Sequence, residues 1–111
     1  MTGDPSYVEL GVDDVAKATH FYSQLFGWEP QHMSDGASVH TGSLGIGIHG
    51  KDSENHFEVF FAVDDLEASL ETVRDLGGGV IGDIVTSDGF GRWSECVDDQ
   101  GVRFGLRELS R

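Results

Sequence analysis

At 111 residues the chain has room for one domain, since compact domains usually hold about 100–200 residues and smaller ones struggle to bury enough surface. Seven Lys and Arg against 20 Asp and Glu leave a net charge of −13, which repels phosphate backbones and anionic lipid, so neither nucleic acid nor membrane is expected as a partner. The single cysteine, Cys96, excludes an intramolecular disulfide, and without an apolar N-terminal stretch of signal or spanning length the expected setting is cytoplasmic.

The run Tyr7–Val12 is rich in residues that suit a pleated surface and is predicted as a strand. Asp13-Asp14 follows, where a carboxylate can cap the free N–H groups of a helix. Val15, Ala18, Phe21, Tyr22 and Leu25 then recur at helical spacing, so these, with Phe26, are expected to be core, and Gly27 is the stop. Three short strand-like runs come next: Trp28–Met33, Ser38–His40 and Leu44–His49, with a turn at Asp35-Gly36.

The same grammar starts again at Phe57–Val63. Val12-Asp13-Asp14 recurs as Val63-Asp64-Asp65 and Leu25 and Gly27 as Leu76 and Gly78, all at an offset of 51 residues. Leu66, Ser69, Leu70, Val73 and Leu76 mark the second helix, and Gly77-Gly78-Gly79 ends it. Val80–Val85, Trp93–Val97 and Val102–Arg107 read as strands, parted by turns at Asp88-Gly89 and Gln100-Gly101. Cys96 falls on the middle of these and suits a small core residue better than a nucleophile.

Each half is therefore a βαβββ module, the first over residues 5–50 and the second over 55–108 of one domain spanning 1–111. The fold class expected is α+β, two modules in tandem forming a curved mixed sheet around a cavity. Strands this short leave open edges, and a homodimer is the expected way to cover them.

Three stretches carry a family resemblance: Val8-Glu9-Leu10-Gly11-Val12-Asp13-Asp14 running on to Phe21-Tyr22-Ser23-Gln24-Leu25-Phe26-Gly27-Trp28; Phe61-Ala62-Val63-Asp64-Asp65-Leu66; and Asp98-Asp99-Gln100-Gly101-Val102-Arg103-Phe104-Gly105-Leu106. Together with the duplication they resemble the vicinal oxygen chelate superfamily, which takes in glyoxalases, bleomycin-resistance proteins and extradiol dioxygenases. In its metal-dependent members, the resemblance implies, the first and last strand of each module supply one ligand each. Those positions fall here on Tyr7, Gly47, Glu58 and Gly105, of which Glu58 alone is a competent ligand.

The resemblance thus implies a protein that binds a small organic molecule in the cavity between its modules with no metal or other cofactor, as resistance-type members do. The residues expected to line the cavity are Tyr7, Glu9, Gly47, Glu58, Trp93, Gly105 and Arg107. Glu9 and Glu58 are the candidate general bases if a reaction occurs. The two glycines are read either as backbone crowding or as widening of a pocket. Arg107 shares a strand face with Gly105 and either enters the cavity or reaches solvent.

With carboxylates but no certain cation facing inward, an amine-bearing aromatic ligand is expected to bind better than an anionic one. The competing reading is a lyase, isomerase or dioxygenase with a divergent metal site, for which His49, His56 and Glu58 are the alternative cluster, or with a metal-free glutamate base. A purely structural module is the third class. His20, His32 and His40 have no ligand partner at recognisable spacing.

Overall fold

A computed structural model describes residues 2–51 and 55–109. Its elements run β1 (Pro5–Gly11), α1 (Val15–Phe26), β2 (Gln31–Met33), β3 (Gly36–His40), β4 (Gly45–His49), β5 (His56–Val63), α2 (Leu66–Asp75), β6 (Gly79–Ser87), β7 (Gly91–Val97) and β8 (Arg103–Glu108). The order βαβββ occurs twice, and the fold is α+β.

The chain parts into two compact units, one of Tyr7–Glu58 and one joining Met1–Ser6 to Val59–Arg111. In the first, the strands lie in the order β2-β3-β4-β1, with β1 and β4 parallel and the other pairs antiparallel. The second repeats this plan as β5-β8-β7-β6, parallel between β5 and β8 alone.

Asp14 is extended, and its side chain accepts the Lys17 amide, which caps α1; Asp65 does the same for α2 through the Ala68 amide. Gly27 closes α1 in the left-handed region at φ 76°, a conformation that costs most other residues energy. One face of each sheet packs on its helix. Leu10, Ala18, Ala37 and Ile48 form the first core, with Val12, Val15 and Tyr22 against them. Leu66, Leu70, Cys96 and Leu106 form the second, with Phe61, Val63, Val73, Val80, Ile84 and Phe104 against them. Burying a leucine such as Leu66 or Leu70 contributes about 1.5–3 kcal/mol each. Cys96 is a fully buried thiol within that core, as its strand position predicts.

Three expectations need correcting. Phe21, Leu25 and Phe26 are exposed, not core. A helix lying on one sheet buries one stripe, here Val15, Ala18 and Tyr22, and Phe21 stands about 100° round the axis from Tyr22. Leu76 is likewise exposed, because α2 ends at Asp75. The strand predicted over Trp28–Met33 shrinks to Gln31–Met33, since Pro30 brings no N–H to a ladder and Trp28 stacks on Tyr22 instead.

Candidate functional site

The sheet face turned away from α1 presents Tyr7 and Glu9 of β1 and Gly47 and His49 of β4. Glu9 pairs with Gly47 across the parallel ladder, so these side chains meet. The Tyr7 hydroxyl donates to Glu9 Oε2 at 2.5 Å, and His49 Nε2 stands 3.5 Å from Glu9 Oε1. The carboxylate is thereby fixed from both oxygens while staying partly exposed. Gly47 supplies the room: a Cβ there would collide with the Tyr7 hydroxyl and come within 2.6 Å of Glu9 Oε2. Ser38 pairs with Gly47, and His40 borders Gly45 beside the Tyr7 ring, so both join this polar face.

Glu58 is 4% exposed and has His56 Nε2 at 3.7 Å, so the same-face pairing expected of those two residues is present. Two pairings involve members of the alternative cluster. His49 stands beside Glu9 and His56 beside Glu58. Among the described residues one trio of potential ligand atoms lies within 4.8 Å of one another, and it is Asp65, Glu67 and Glu108.

That trio has other work at the start of α2. Asp65 caps the helix and Glu108 Oε2 accepts the Leu66 amide at 2.8 Å. Arg92 bonds both Glu67 and Glu108; the hydrogen bond from Arg92 holds the Glu67 carboxyl below its ordinary pKa and raises that of Arg92. An open groove of about 460 Å³ lies close by, between α2 and β6, over Leu70, Val80 and Ile84. It sits on the helix side of its sheet, whereas Gly105 faces the other side.

In the second unit Trp93, Gly105 and Arg107 share a face, as alternation and the β7–β8 register require. Phe60 pairs with Gly105, and its ring fills the space where a Gly105 side chain would stand. Phe60 meets Trp93 edge to face at 5.7 Å and Phe90 at 6.5 Å. Arg107 is held in place: Nε donates to the Phe90 carbonyl at 2.8 Å, Nη1 to Ser6 Oγ at 2.8 Å, and the guanidinium carbon lies 3.9 Å from the Phe90 ring centre.

The sequence reading missed Phe60, Phe90, Ser6, Ser38 and His40. Phe60 was within reach, two residues from Glu58 on one strand, and its partner Gly105 is the mirror of Glu9 with Gly47. Ser6 and Phe90 carry no such sign, because what recruits them is a side chain 101 and 17 residues away.

The Glyoxalase/Bleomycin resistance protein/Dioxygenase superfamily matches residues 5–106. The chain belongs to this superfamily. Its curated relatives include the anthracycline biosynthesis protein DnrV of Streptomyces peucetius, 31% identical over 94% of this chain and 46% of that protein. A glyoxylase-like domain-containing protein of Didymella fabae is 30% identical over 78% of this chain and 77% of its own length. The chain spans about half the length of DnrV and of the putative glyoxylase CFP32 of Mycobacterium tuberculosis.

Among solved structures, hypothetical protein BH1468 from Bacillus halodurans superposes with a TM-score of 0.78 at 15% identity, covering 100% of this chain and 97% of its own. The methylmalonyl-CoA epimerase of Mycobacterium tuberculosis does so at 0.71 and 16%, covering 98% and 89%. At these identities the likeness is one of fold.

A divalent ion of the kind used in metal-dependent superfamily members needs three or four imidazole or carboxylate ligands. Gly47 and Gly105 offer none, and the space at each is taken by a neighbour, the Tyr7 hydroxyl and the Phe60 ring. Tyr7 itself is engaged with Glu9. The residues present do not fit that metal.

Proposed function

We propose that this superfamily member binds a small organic molecule without a resident metal, and that Glu9 anchors it. The observation that carries the reading is the filling of both glycine positions by Tyr7 and Phe60, which removes the donor set and leaves a fixed, part-exposed carboxylate. A carboxylate has about four lone-pair sites and the Tyr7 hydroxyl takes one, so an amine, amide or phenol of the ligand has acceptors to meet. The Tyr7 ring beside Glu9 is an aromatic surface on which a planar molecule can stack. The resemblance to proteins named for anthracycline biosynthesis makes an anthracycline the first probe. The same reading takes the protein as a cytoplasmic homodimer, in keeping with a single cysteine, Cys96, buried in the core.

The test is a thermal-shift panel on metal-free protein. Amine-bearing aromatics, an anthracycline among them, are expected to raise Tm, anionic glutathione conjugates are not, and Glu9→Gln is expected to weaken the shift. Stabilisation by the anions alone, with Glu9→Gln silent, overturns the assignment and turns attention to Arg107. A second reading, an enzyme using a metal-free glutamate base, is favoured by the contact of Glu9 with both Tyr7 and His49. Turnover of a stabilising compound, lost in Glu9→Gln, would select it.

A further inference from the structure

Gly45 opens β4 between two strands, paired with Tyr7 of β1 on one side and His40 of β3 on the other. A glycine in a strand costs stability, and it often marks a bulge, the close pass of another backbone or the approach of a ligand. Both ladders run through Gly45 without a register shift, which excludes a bulge. Its φ lies outside the left-handed region. Gly36, Gly47 and Gly105 stand where a Cβ would strike a neighbour, whereas a Cβ on Gly45 would meet nothing nearer than Tyr7 Cδ1 at 3.7 Å and His40 Cε1 at 3.8 Å, both side-chain atoms at ordinary contact distance. Neither the backbone nor the packing among the described residues therefore requires this glycine.

The place left empty is a notch with two aromatic walls. A ligand carbon at the Cβ position touches the Tyr7 and His40 rings at once, and the notch is reached from outside, since His40 is exposed and Tyr7 and Gly45 are partly so. Gly47 follows two residues along β4, and beside it Glu9 Oε2 is held by the Tyr7 hydroxyl. Strand spacing sets the two glycine positions about 7 Å apart. Walls of this kind favour an aromatic ring, and a carboxylate at that separation favours an amine carried from the ring on a short arm. All of these residues lie within the one unit Tyr7–Glu58.

We infer that Gly45 determines the specificity of this site: its missing side chain admits the ring of an arylalkylamine between Tyr7 and His40 while the amine bonds Glu9. This rests on Glu9 as the anchor, proposed above, and adds where the ring sits and how far it stands from the charge.

NMR titration of the full chain with phenethylamine and with butylamine tests it, beside Gly45→Ala, His40→Ala and Glu9→Gln. The methyl of Gly45→Ala fills the notch without a clash, so the Tm of that variant is expected to be no lower than that of the unaltered chain. His40→Ala changes an exposed side chain and reads the same contact without altering β4. Phenethylamine is expected to bind about fivefold tighter than butylamine, a preference lost in Gly45→Ala and His40→Ala through weakening of the aromatic amine alone, while Glu9→Gln weakens both amines. Phenethylamine binding that needs Glu9 but is untouched by Gly45→Ala or by His40→Ala keeps the anchor and overturns the notch. Equal weakening of both amines by Gly45→Ala also overturns the notch, because the methyl then acts on Glu9 and not on the ring. An unaltered chain that binds neither amine, or binding indifferent to Glu9→Gln, overturns the anchor and the notch with it.

Discussion

Replacing Gly105 with alanine is expected to destabilise the protein, and the cost is expected to vanish when Phe60 is shortened. The three atoms nearest to an added Cβ are Cγ, Cδ2 and Cε2 of the Phe60 ring, all well inside van der Waals contact. Phe60 is buried and cannot swing into solvent, so the methyl forces the ring or the strand aside, at about 1–3 kcal/mol for overpacking. For a domain of this size that is a fall in Tm of about 4–8 °C per kcal/mol.

Phe60→Ala alone costs about 3–5 kcal/mol, because it opens a cavity next to Trp93 and Phe90. The added methyl then enters that cavity, and Gly105→Ala in the shortened background is expected to cost nothing. The coupling between the two sites is therefore the whole of the single-mutant cost, about 1–3 kcal/mol. Urea unfolding of the four proteins, followed by tryptophan fluorescence and by circular dichroism, measures it. A silent Gly105→Ala, or additive substitutions, would refute the argument that the ring is what holds the glycine in place.

Tyr7→Phe removes the hydroxyl that fixes Glu9 and is expected to cost about 1–2 kcal/mol by urea unfolding, below the full value of a charged hydrogen bond because Glu9 is part-exposed. Asp65→Ala removes the cap of α2 and is expected to cost about 1 kcal/mol, with a matching loss of helical signal if Ala68 loses its acceptor. Asp98 is held below the ordinary carboxylate pKa by the amides of Val102 and Gln100, so its contribution to stability is present at neutral pH and lost as pH falls through its folded pKa. Asp98→Asn is accordingly expected to lower stability at pH 7 and to flatten the acid limb of the stability–pH curve, and parallel curves for the two proteins would contradict the role given to this loop.

The duplicated grammar made the fold legible because it acts locally. An aspartate before an apolar helix stripe caps it wherever it stands, and Asp14 and Asp65 both do so. Alternation along one strand likewise put Tyr7 with Glu9, and Gly105 with Arg107, on shared faces. Helical spacing failed at Phe21 and Leu25, since a repeat of apolar residues marks a stripe without saying how wide a stripe the sheet will cover.

The glycines stayed ambiguous for a related reason. Gly47 and Gly105 are missing side chains, and a sequence names the gap without naming what enters it. Tyr7 and Phe60 are the residues that enter, each from a parallel strand more than 35 positions away, which only strand register reveals.

The most direct test of the account is the metal content of the purified chain after incubation with zinc, nickel, manganese and iron(II), followed by exhaustive dialysis and elemental analysis. Independence from metal predicts only substoichiometric traces of each ion and a Tm unmoved by chelator. One ion retained per chain, lost on replacing Glu9, His49, His56 or Glu58, would contradict it and restore a metal centre to this superfamily member.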